Sequence, residues 1–584
     1  MPNITETTDA LASTGTIYGL QVGQTAQGRL ATVSDHDWYR VSLTAGQTYT
    51  FALVGTGGND LADALLQLRN ASGAQIAIDD DGGPGSNSTI TFTATTSGTY
   101  YLDVGSYNDS YSGQYGLSFT AGSLAHYDYM MGAGNLIRGG TSWSATPGTA
   151  VNVTYSFDTS NADQTDASGN ATAFIALSSV QRAAAQQSLV MFAEVGNVTF
   201  TQSAANTGTM RFSAYNSTTD GAGAYAYYPG DPSAGSLAGD VNLNNDSVST
   251  TSIPRGSYSF FAMLHEIGHA MGLAHPGDYN AGPGVSITYG THAQFAEDSH
   301  QYSVMSYFDE DNTTGSFGSY PDTLLMFDIL AVQQLYGVNR NTRAGDSIYG
   351  FNGNTGSVYN FASNTDPVFC IWDGNGNDTI DASQYSMAQR INLYSASFSN
   401  IGGFTGNISI AVGAVIENAK GGSGNDIIAG NGILNRLWGN DGNDQLYGYA
   451  GNDIMSGGNG NDQIFGGLGN DRLVGGAGAD RFIFNTALNG STNVDMIGDF
   501  NVATDTIALD NAIFTAIGAV GTLAAAAFRK NATGLAGDSN DRIIYETDTG
   551  DLFYDSNGTG SGGRTMIAHL GSGLAVTNQD FLIV

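Results

Sequence analysis

The 584-residue sequence predicts a multidomain protein: an N-terminal β-sandwich, a mixed α+β domain, and a C-terminal parallel β-roll running into a terminal β-rich segment. Three observations carry this prediction. Short strands that alternate apolar and polar residues fill the first part. Helix-length periodic segments interrupt strands in the second. A nine-residue repeat occupies the third. Length alone argues for several cores, because one hydrophobic core stops growing at about 250–300 residues.

Residues 1–15, MPNITETTDALASTG, are an N-terminal segment with no charged leader and no apolar run. No cleaved secretory signal is expected there, so export must use another signal. Residues 16–120 form the sandwich: VSLTAGQTYTFALVG, TITFTATTSGTYYLDVG and YGLSFT alternate between Gly, Asn and Asp turns. Asp79, Asp80 and Asp81 lie in such a turn, where a solvated acidic turn is favoured over a calcium loop. Residues 121–345 change character. LSSVQRAAAQQSLVMFAEVGN reads as a helix, with Ser178 and Gln181 as its capping box and Gly196 as its stop. VTFTQSA and TMRFSAY read as strands, and SYSFFAMLHEIGHAMGLAH and DTLLMFDILAVQQLYG as further helices, the last ending at Gly337. Residues 346–484 contain the repeat, from Gly421: GGSGNDIIA, GNGILNRLW, GNDGNDQLY, GYAGNDIMS, GGNGNDQIF, GGLGNDRLV and GGAGADRFI. Residues 485–584 return to short strands and turns and end in DFLIV.

Charge excludes some functions. Eighteen basic residues face 53 acidic ones, for a net charge of −35, and only seven of the acids are glutamate. No nucleic-acid partner is expected, because that needs a basic surface. An anionic membrane surface is disfavoured for the same reason, and no window is apolar enough for membrane insertion. Aspartate with abundant glycine is turn and calcium-loop chemistry. Cys370 is the only cysteine, so no intrachain disulfide can form. That usually suggests a reducing compartment, although calcium can replace disulfides as an extracellular staple.

The chemistry concentrates in HEIGHAMGLAHP, His265 to Pro276. Residues i and i+4 share one face of a helix, so His265 and His269 can address one metal. Glu266 sits beside the first ligand and reaches a metal-held water without ligating. Gly272 lets the chain leave the helix through a conformation closed to residues with a Cβ, returning His275 to the same point. Three neutral imidazoles with an open fourth position describe one catalytic Zn2+, not a closed structural site. Zinc makes a water nucleophilic near neutral pH, with Glu266 as its general base. SVMSYF places Met305 thirty residues beyond His275, completing the metzincin signature of an extended histidine motif followed by a methionine turn.

HEIGHAMGLAHPGDYNAG, AEDSHQYSVMSYF, QQLYGVNRNTRAGDSIYGFN and the nonapeptide array resemble the serralysin family, over roughly residues 121–584. DHDWYRVSLTAGQTYTF and SGTYYLDVGSYNDSYSGQYGLSF resemble the pre-peptidase C-terminal domain, here placed before the peptidase-like region and not after it. The resemblance implies a metzincin zinc endopeptidase acting on protein or peptide substrates. It implies that Tyr307 ligates zinc through its phenolic oxygen and later stabilises the oxyanion, and that Met305 forms the floor of the site. In GAYAYYPG, Gly223, Ala224, Tyr225 and Ala226 correspond to an edge strand on which substrate adds as a further strand. A cysteine switch upstream of the active site is absent.

In the repeat, glycines turn carbonyls inward, the sixth-position aspartate adds a carboxylate, and the large eighth residue fills the core. Candidate calcium ligands are Asp426, Asp444, Asp453, Asp462, Asp471 and Asp480; Asn435 replaces the aspartate in the second repeat and weakens or removes that site. By resemblance, further sites lie upstream: Arg343 and Gly345 through carbonyls with Asp373, Gly376 and Asp378, and Glu417 with Gly422, Gly424 and Asp426. Several structural Ca2+ ions are therefore expected. RTX proteins leave the cell through type I secretion machinery with an uncleaved C-terminal signal, and Asp580–Val584 resembles the acidic-then-apolar ending of exported serralysins. The expectation is a secreted, extracellular monomer whose N-terminal module has a surface ligand. RTX arrays and sandwich modules also suit a calcium-dependent adhesin. The His265–Glu266–His269–His275 set with Met305 and Tyr307 discriminates, because an adhesin has no use for it.

Overall fold

In the computed structural model, which describes residues 4–57, 59–122 and 124–584, the alternating segments of the first part form two sheets face to face. One has the order Ile4–Thr5, Gln24–Leu30, Gly113–Ala121, Thr48–Gly55, Ser88–Thr93; the other Asp37–Leu43, Gly98–Ser106, Ala64–Arg69, Gln75–Asp79. Pairing is antiparallel except for Ile4–Thr5, which adds in parallel beside Ala26 and Gln27. Inward positions bury Tyr39, Phe51, Leu53, Leu66, Tyr115 and Phe119 in one core, with Phe51 stacked on Phe119 at 5.2 Å. The acidic turn closes on itself: Asp79 Oδ2 accepts from the amides of Gly82 and Thr89 at 2.8 and 2.7 Å.

The region after the sandwich builds a five-stranded sheet, ordered Val198–Gln202, Val151–Phe157, Met210–Tyr215, Val241–Asn244, Ala224–Ala226. The first four strands are parallel, and Ala224–Ala226 is an antiparallel edge strand. Five helices accompany it: α1 (Tyr129–Leu136), α2 (Ser179–Val195), α3 (Tyr258–Ala270), the single turn α4 (Tyr289–His292) and α5 (Met326–Tyr336). This region and the sandwich together make one unit, Met1–Thr342 with Val368–Trp372. Cys370 is buried in it.

Helix α2 has the capping box that its sequence predicts: Ser178 Oγ accepts from the Gln181 amide at 3.2 Å, and Gln181 Oε1 accepts from the Ser178 amide at 3.0 Å. Ser178→Ala is expected to destabilise this unit by about 1 kcal/mol, read as a lowered urea midpoint with unchanged slope; an unmoved midpoint contradicts it. Gly196 caps the C-terminus of α2, as predicted. Its backbone is extended (φ −113°), so handedness is not the reason for glycine; a Cβ there would lie 2.8 Å from Val332 Cγ1. Helix α1 was not predicted, because Gly132 and Gly134 each cost about 1 kcal/mol of helix propensity. Packing explains both: a Cβ on Gly132 would strike the Phe327 ring, and one on Gly134 would lie 2.3 Å from the Gly55 carbonyl.

The second unit comprises Arg343–Pro367 and Asp373–Val584. Successive nonapeptides alternate between two parallel sheets, so pairing runs at an offset of eighteen residues: Ile428, Leu446, Ile464 and Phe482 align in one sheet, Leu437, Met455 and Leu473 in the other. These eighth-position residues are buried in two facing columns. Both sheets continue past the repeat. The final strand, Phe581–Ile583, lies parallel to Thr506–Leu509 and buries Phe581 and Ile583. Among the described residues no helix is long and apolar enough to cross a membrane.

Candidate active site

Helix α3 carries the motif. Ser257 Oγ caps it through the Phe260 amide, and twelve of its residues are buried. Gly272 ends it at φ +96°, where a Cβ would also lie 2.3 Å from the Thr141 carbonyl oxygen. Glycine is thus required twice, by handedness and by space. The turn returns His275 to the helix: its Nε2 lies 3.1 Å from that of His265 and 3.0 Å from that of His269. Gly272→Ala is expected to destabilise by about 2–4 kcal/mol, combining left-handed strain with overpacking, and to loosen His275. Thermal unfolding reads the first effect; a midpoint equal to wild type contradicts it.

Each Nδ1 faces a backbone carbonyl: His265 that of Val304 at 2.8 Å, His269 that of Leu273 at 2.7 Å, His275 that of Tyr279 at 2.8 Å. A carbonyl can only accept, so each Nδ1 carries the hydrogen and each neutral ring turns a bare Nε2 lone pair inward. Burial keeps the rings neutral. It lowers His269 to about 4 and pushes His265 and His275 well below the usual range, with repulsion between imidazoles adding to both. Three lone pairs converging within 4.8 Å of one another repel unless a cation lies among them. Tautomer, burial and spacing all fit a zinc ion held by three imidazoles.

Glu266 is buried beside His265, and burial raises its carboxyl to about 8. Its Oε2 has no hydrogen-bond partner among the described residues. Met305 lies fully buried under the helix, where a Cβ on Gly268 would meet its sulfur at 2.4 Å. The Tyr307 ring sits 4.5 Å from His275 and 5.6 Å from His265. A cleft of about 560 Å³ opens over these groups. Gly223, Ala224, Tyr225 and Ala226 line one wall; Tyr258, Phe261, His300 and Tyr320 also line it. His300 and Tyr320 have no fixed spacing from the motif, so sequence reasoning passed over them; Tyr258 and Phe261 precede His265 by seven and four residues on α3 itself and were not singled out. Tyr228, 5.5 Å from His269, lies in the GAYAYYPG segment but was not singled out there.

In the second unit the aspartates form two ladders. The amides of Asp426, Asp444 and Asp462 donate to Oδ1 of Asp444, Asp462 and Asp480; those of Asn435 and Asp453 donate to Oδ1 of Asp453 and Asp471. The other oxygen, Oδ2, of Asp444, Asp453, Asp462, Asp471 and Asp480 is buried with no hydrogen-bond partner among the described residues. It sits where a glycine lacks a side chain: a Cβ on Gly457 would meet Asp462 Oδ2 at 2.2 Å and the Gly475 carbonyl oxygen at 2.7 Å. Burial raises Asp444 to about 7 and Asp453 to about 8. Orphaned carboxylate oxygens beside inward carbonyls fit a hard cation such as calcium.

Asp426 differs, since both of its oxygens accept amides, from Gln389 and Gly422. Asn435 satisfies itself with Asn431 and the Glu417 carbonyl. A Cβ on Gly424 would clash with the Met387–Ala388 backbone. Upstream, Asp373 and Asp378 come together with the Gly345 carbonyl, beside Gly376 at φ +151°; Arg343 takes φ +48°. The Glu417 carboxylate joins this group, accepting the Asp378 amide at 2.7 Å. Asp495 and Asp505 extend the ladders and were missed, because they follow their partners by 24 and 25 residues, not eighteen.

Family models match three stretches of the chain. The family "Peptidase M10 serralysin C terminal" matches residues 338–583, "Matrixin" residues 143–298, and "Bacterial pre-peptidase C-terminal domain" residues 35–106. Metallopeptidase AprA of Pseudomonas marginalis is 42% identical over 353 residues, covering 59% of this chain and 73% of the relative. Serralysin B of Dickeya chrysanthemi is 42% identical over 350 residues, covering 57% of this chain and 71% of the relative. The chain belongs to the serralysin family and is a metalloprotease.

Proposed function

We propose that the chain is a secreted zinc endopeptidase whose His265, His269 and His275 hold the metal and whose second unit is a calcium-loaded β-roll. The observation that carries the reading is the convergence of three Nε2 lone pairs, each fixed by a backbone carbonyl behind its ring. Zinc, when bound, supplies a Lewis acid, a water acidic enough to attack near neutral pH, and a positive charge that lowers the Glu266 carboxyl back toward its ionised form. Glu266 takes the proton of the attacking water on its unpartnered Oε2 and returns it to the leaving amine. Tyr307, whose ring lies beside His275 and His265, donates its hydroxyl to the developing oxyanion. The edge strand Ala224–Ala226, with Gly223 before it, binds substrate in extended form by strand addition.

The aspartate ladders and the Asp373–Asp378–Glu417 group hold calcium, which neutralises carboxylates that otherwise repel one another. A chain that closes its roll only at millimolar calcium passes unfolded through type I secretion machinery and folds outside the cell, working there as a monomer. The test is casein hydrolysis with metal content measured. Zinc-loaded, calcium-replete wild type cleaves casein, and stripping zinc abolishes this. A fully loaded chain that cleaves no protein substrate overturns the reading.

A further inference from the structure

The N-terminal sandwich reaches the metal-site turn through helix α1 and through one direct hydrogen bond. At the start of α1, Asp128 accepts from the amides of Met130 and Met131 at 2.9 Å, and from Thr25 Oγ1 and Gln27 Nε2 of the sandwich at 2.9 and 3.0 Å. In its middle, Gly134 lies against the Gly55 carbonyl of the sandwich, while Gly132 lies under Phe327 of α5. At its end the helix meets the turn that carries His275. The Leu136 carbonyl accepts the Ala274 amide at 2.7 Å. Asn135, fully buried, donates its Nδ2 to the Pro276 carbonyl, and its Oδ1 accepts from Asn87 of the sandwich at 3.4 Å.

Arg138 completes the contact. One nitrogen donates to the His275 carbonyl at 2.5 Å and the Asn135 carbonyl at 2.8 Å; the other reaches the Gly277 carbonyl at 3.3 Å and Asp278 Oδ1 at 2.9 Å. Asp278 Oδ2 in turn accepts the amide of Gly85, a sandwich residue, at 3.2 Å. Gly85 adopts φ +65°, and a Cβ there would lie 2.8 Å from Arg138 Cδ. The sandwich loop therefore leaves room for the arginine and for nothing larger.

We propose that the sandwich is a permanent brace for the third histidine, with Asn135, Arg138, Asp278 and Gly85 as positioning residues. It is not a detachable module joined by a passive linker. The Arg138 fork spans two carbonyls of the turn and a carboxylate, which a lysine point charge cannot reproduce. Locking the turn at both His275 and Asp278 holds the ring where its lone pair meets the other two. The proposal rests on the reading of His275 as a metal ligand, but the brace itself can be tested without metal.

The experiment uses the full chain as wild type, Gly85→Ala, Arg138→Ala and Arg138→Lys. Two quantities are read: zinc affinity by competition with a chromogenic chelator, and amide hydrogen exchange over residues 275–279 in the zinc-free protein. Gly85→Ala, which alters only the sandwich, is expected to weaken zinc binding roughly tenfold or more, the scale for groups that orient ligands, and to speed exchange in that segment. The left-handed strain at Gly85 should also lower the global thermal midpoint, so Arg138→Lys, which leaves the backbone unaltered, is the variant whose midpoint should change little. Arg138→Ala should do the same more strongly, and Arg138→Lys should recover less than half of the loss. If Arg138→Ala does not fold, Gly85→Ala and Arg138→Lys still decide. Unchanged exchange and zinc affinity within twofold of wild type in those two variants overturn the brace. A wild type that binds no zinc, with exchange still faster in the variants, retains the brace and overturns the metal reading.

Discussion

Glu266→Gln is expected to lower kcat/KM for a peptide substrate by about 10³-fold, within the 10²–10⁴ range of a positioned general base. The loss should fall on kcat, with KM nearly unchanged, since Glu266 handles a proton and lies within α3, apart from the edge strand. Glutamine keeps the shape and removes the basic oxygen. Stability should not suffer. Glu266 Oε2 is buried with no partner among the described residues, so an amide there breaks no hydrogen bond at that atom. Zinc content should also persist, because the three imidazoles are oriented by the carbonyls of Val304, Leu273 and Tyr279. Falling activity with intact metal and an unmoved thermal midpoint is the signature of a lost base. A variant that is zinc-loaded and retains kcat/KM within tenfold of wild type would remove Glu266 from the mechanism.

Removing calcium is expected to unfold most of the second unit at neutral pH. Five aspartates, Asp444, Asp453, Asp462, Asp471 and Asp480, each bury an oxygen with no partner among the described residues. Burying an unpaired carboxylate costs several kcal/mol, and a folded domain has only about 5–15 kcal/mol in hand. The glycines cannot relieve the repulsion, since the chain turns tightly against each carboxylate. Far-UV circular dichroism should show the β signal of the second unit lost at micromolar free calcium and recovered at millimolar. Asp462→Asn should move the transition to higher calcium, because it removes one charge from the middle of a ladder. Asn435→Asp should add a carboxylate where the asparagine now satisfies itself, and so steepen the calcium dependence. Spectra that coincide across the whole calcium range contradict the assignment.

Legibility followed the range of the interactions. His265 and His269 were readable because helix pitch alone puts positions i and i+4 on one face. The Ser178–Gln181 box was readable because its bonds close within three residues. The eighth-position core of the repeat was readable because every rung repeats one short turn. Gly196 was readable as the stop of α2, but the neighbour that leaves no space for a Cβ there, Val332, comes from a distant segment. Helix α1 was missed because its two glycines read as breakers, while in the fold they admit Phe327 and the Gly55 carbonyl.

By itself the sequence determined the chemistry: three imidazoles, a carboxylate, a glycine exit and a period of nine, all specified by residue types at short spacing. Only the tertiary structure decided how those groups are held. The inward lone pairs depend on the carbonyls of Val304, Leu273 and Tyr279, and the His275 turn on Arg138, Asn135 and Gly85. The ladder partners Asp495 and Asp505, and the Glu417 carboxylate beside Asp378, also come from outside the repeat spacing. The physical reason is that any residue supplies a backbone carbonyl or amide. Such partners therefore leave no mark in residue type, and they become specific only when folding brings distant segments together.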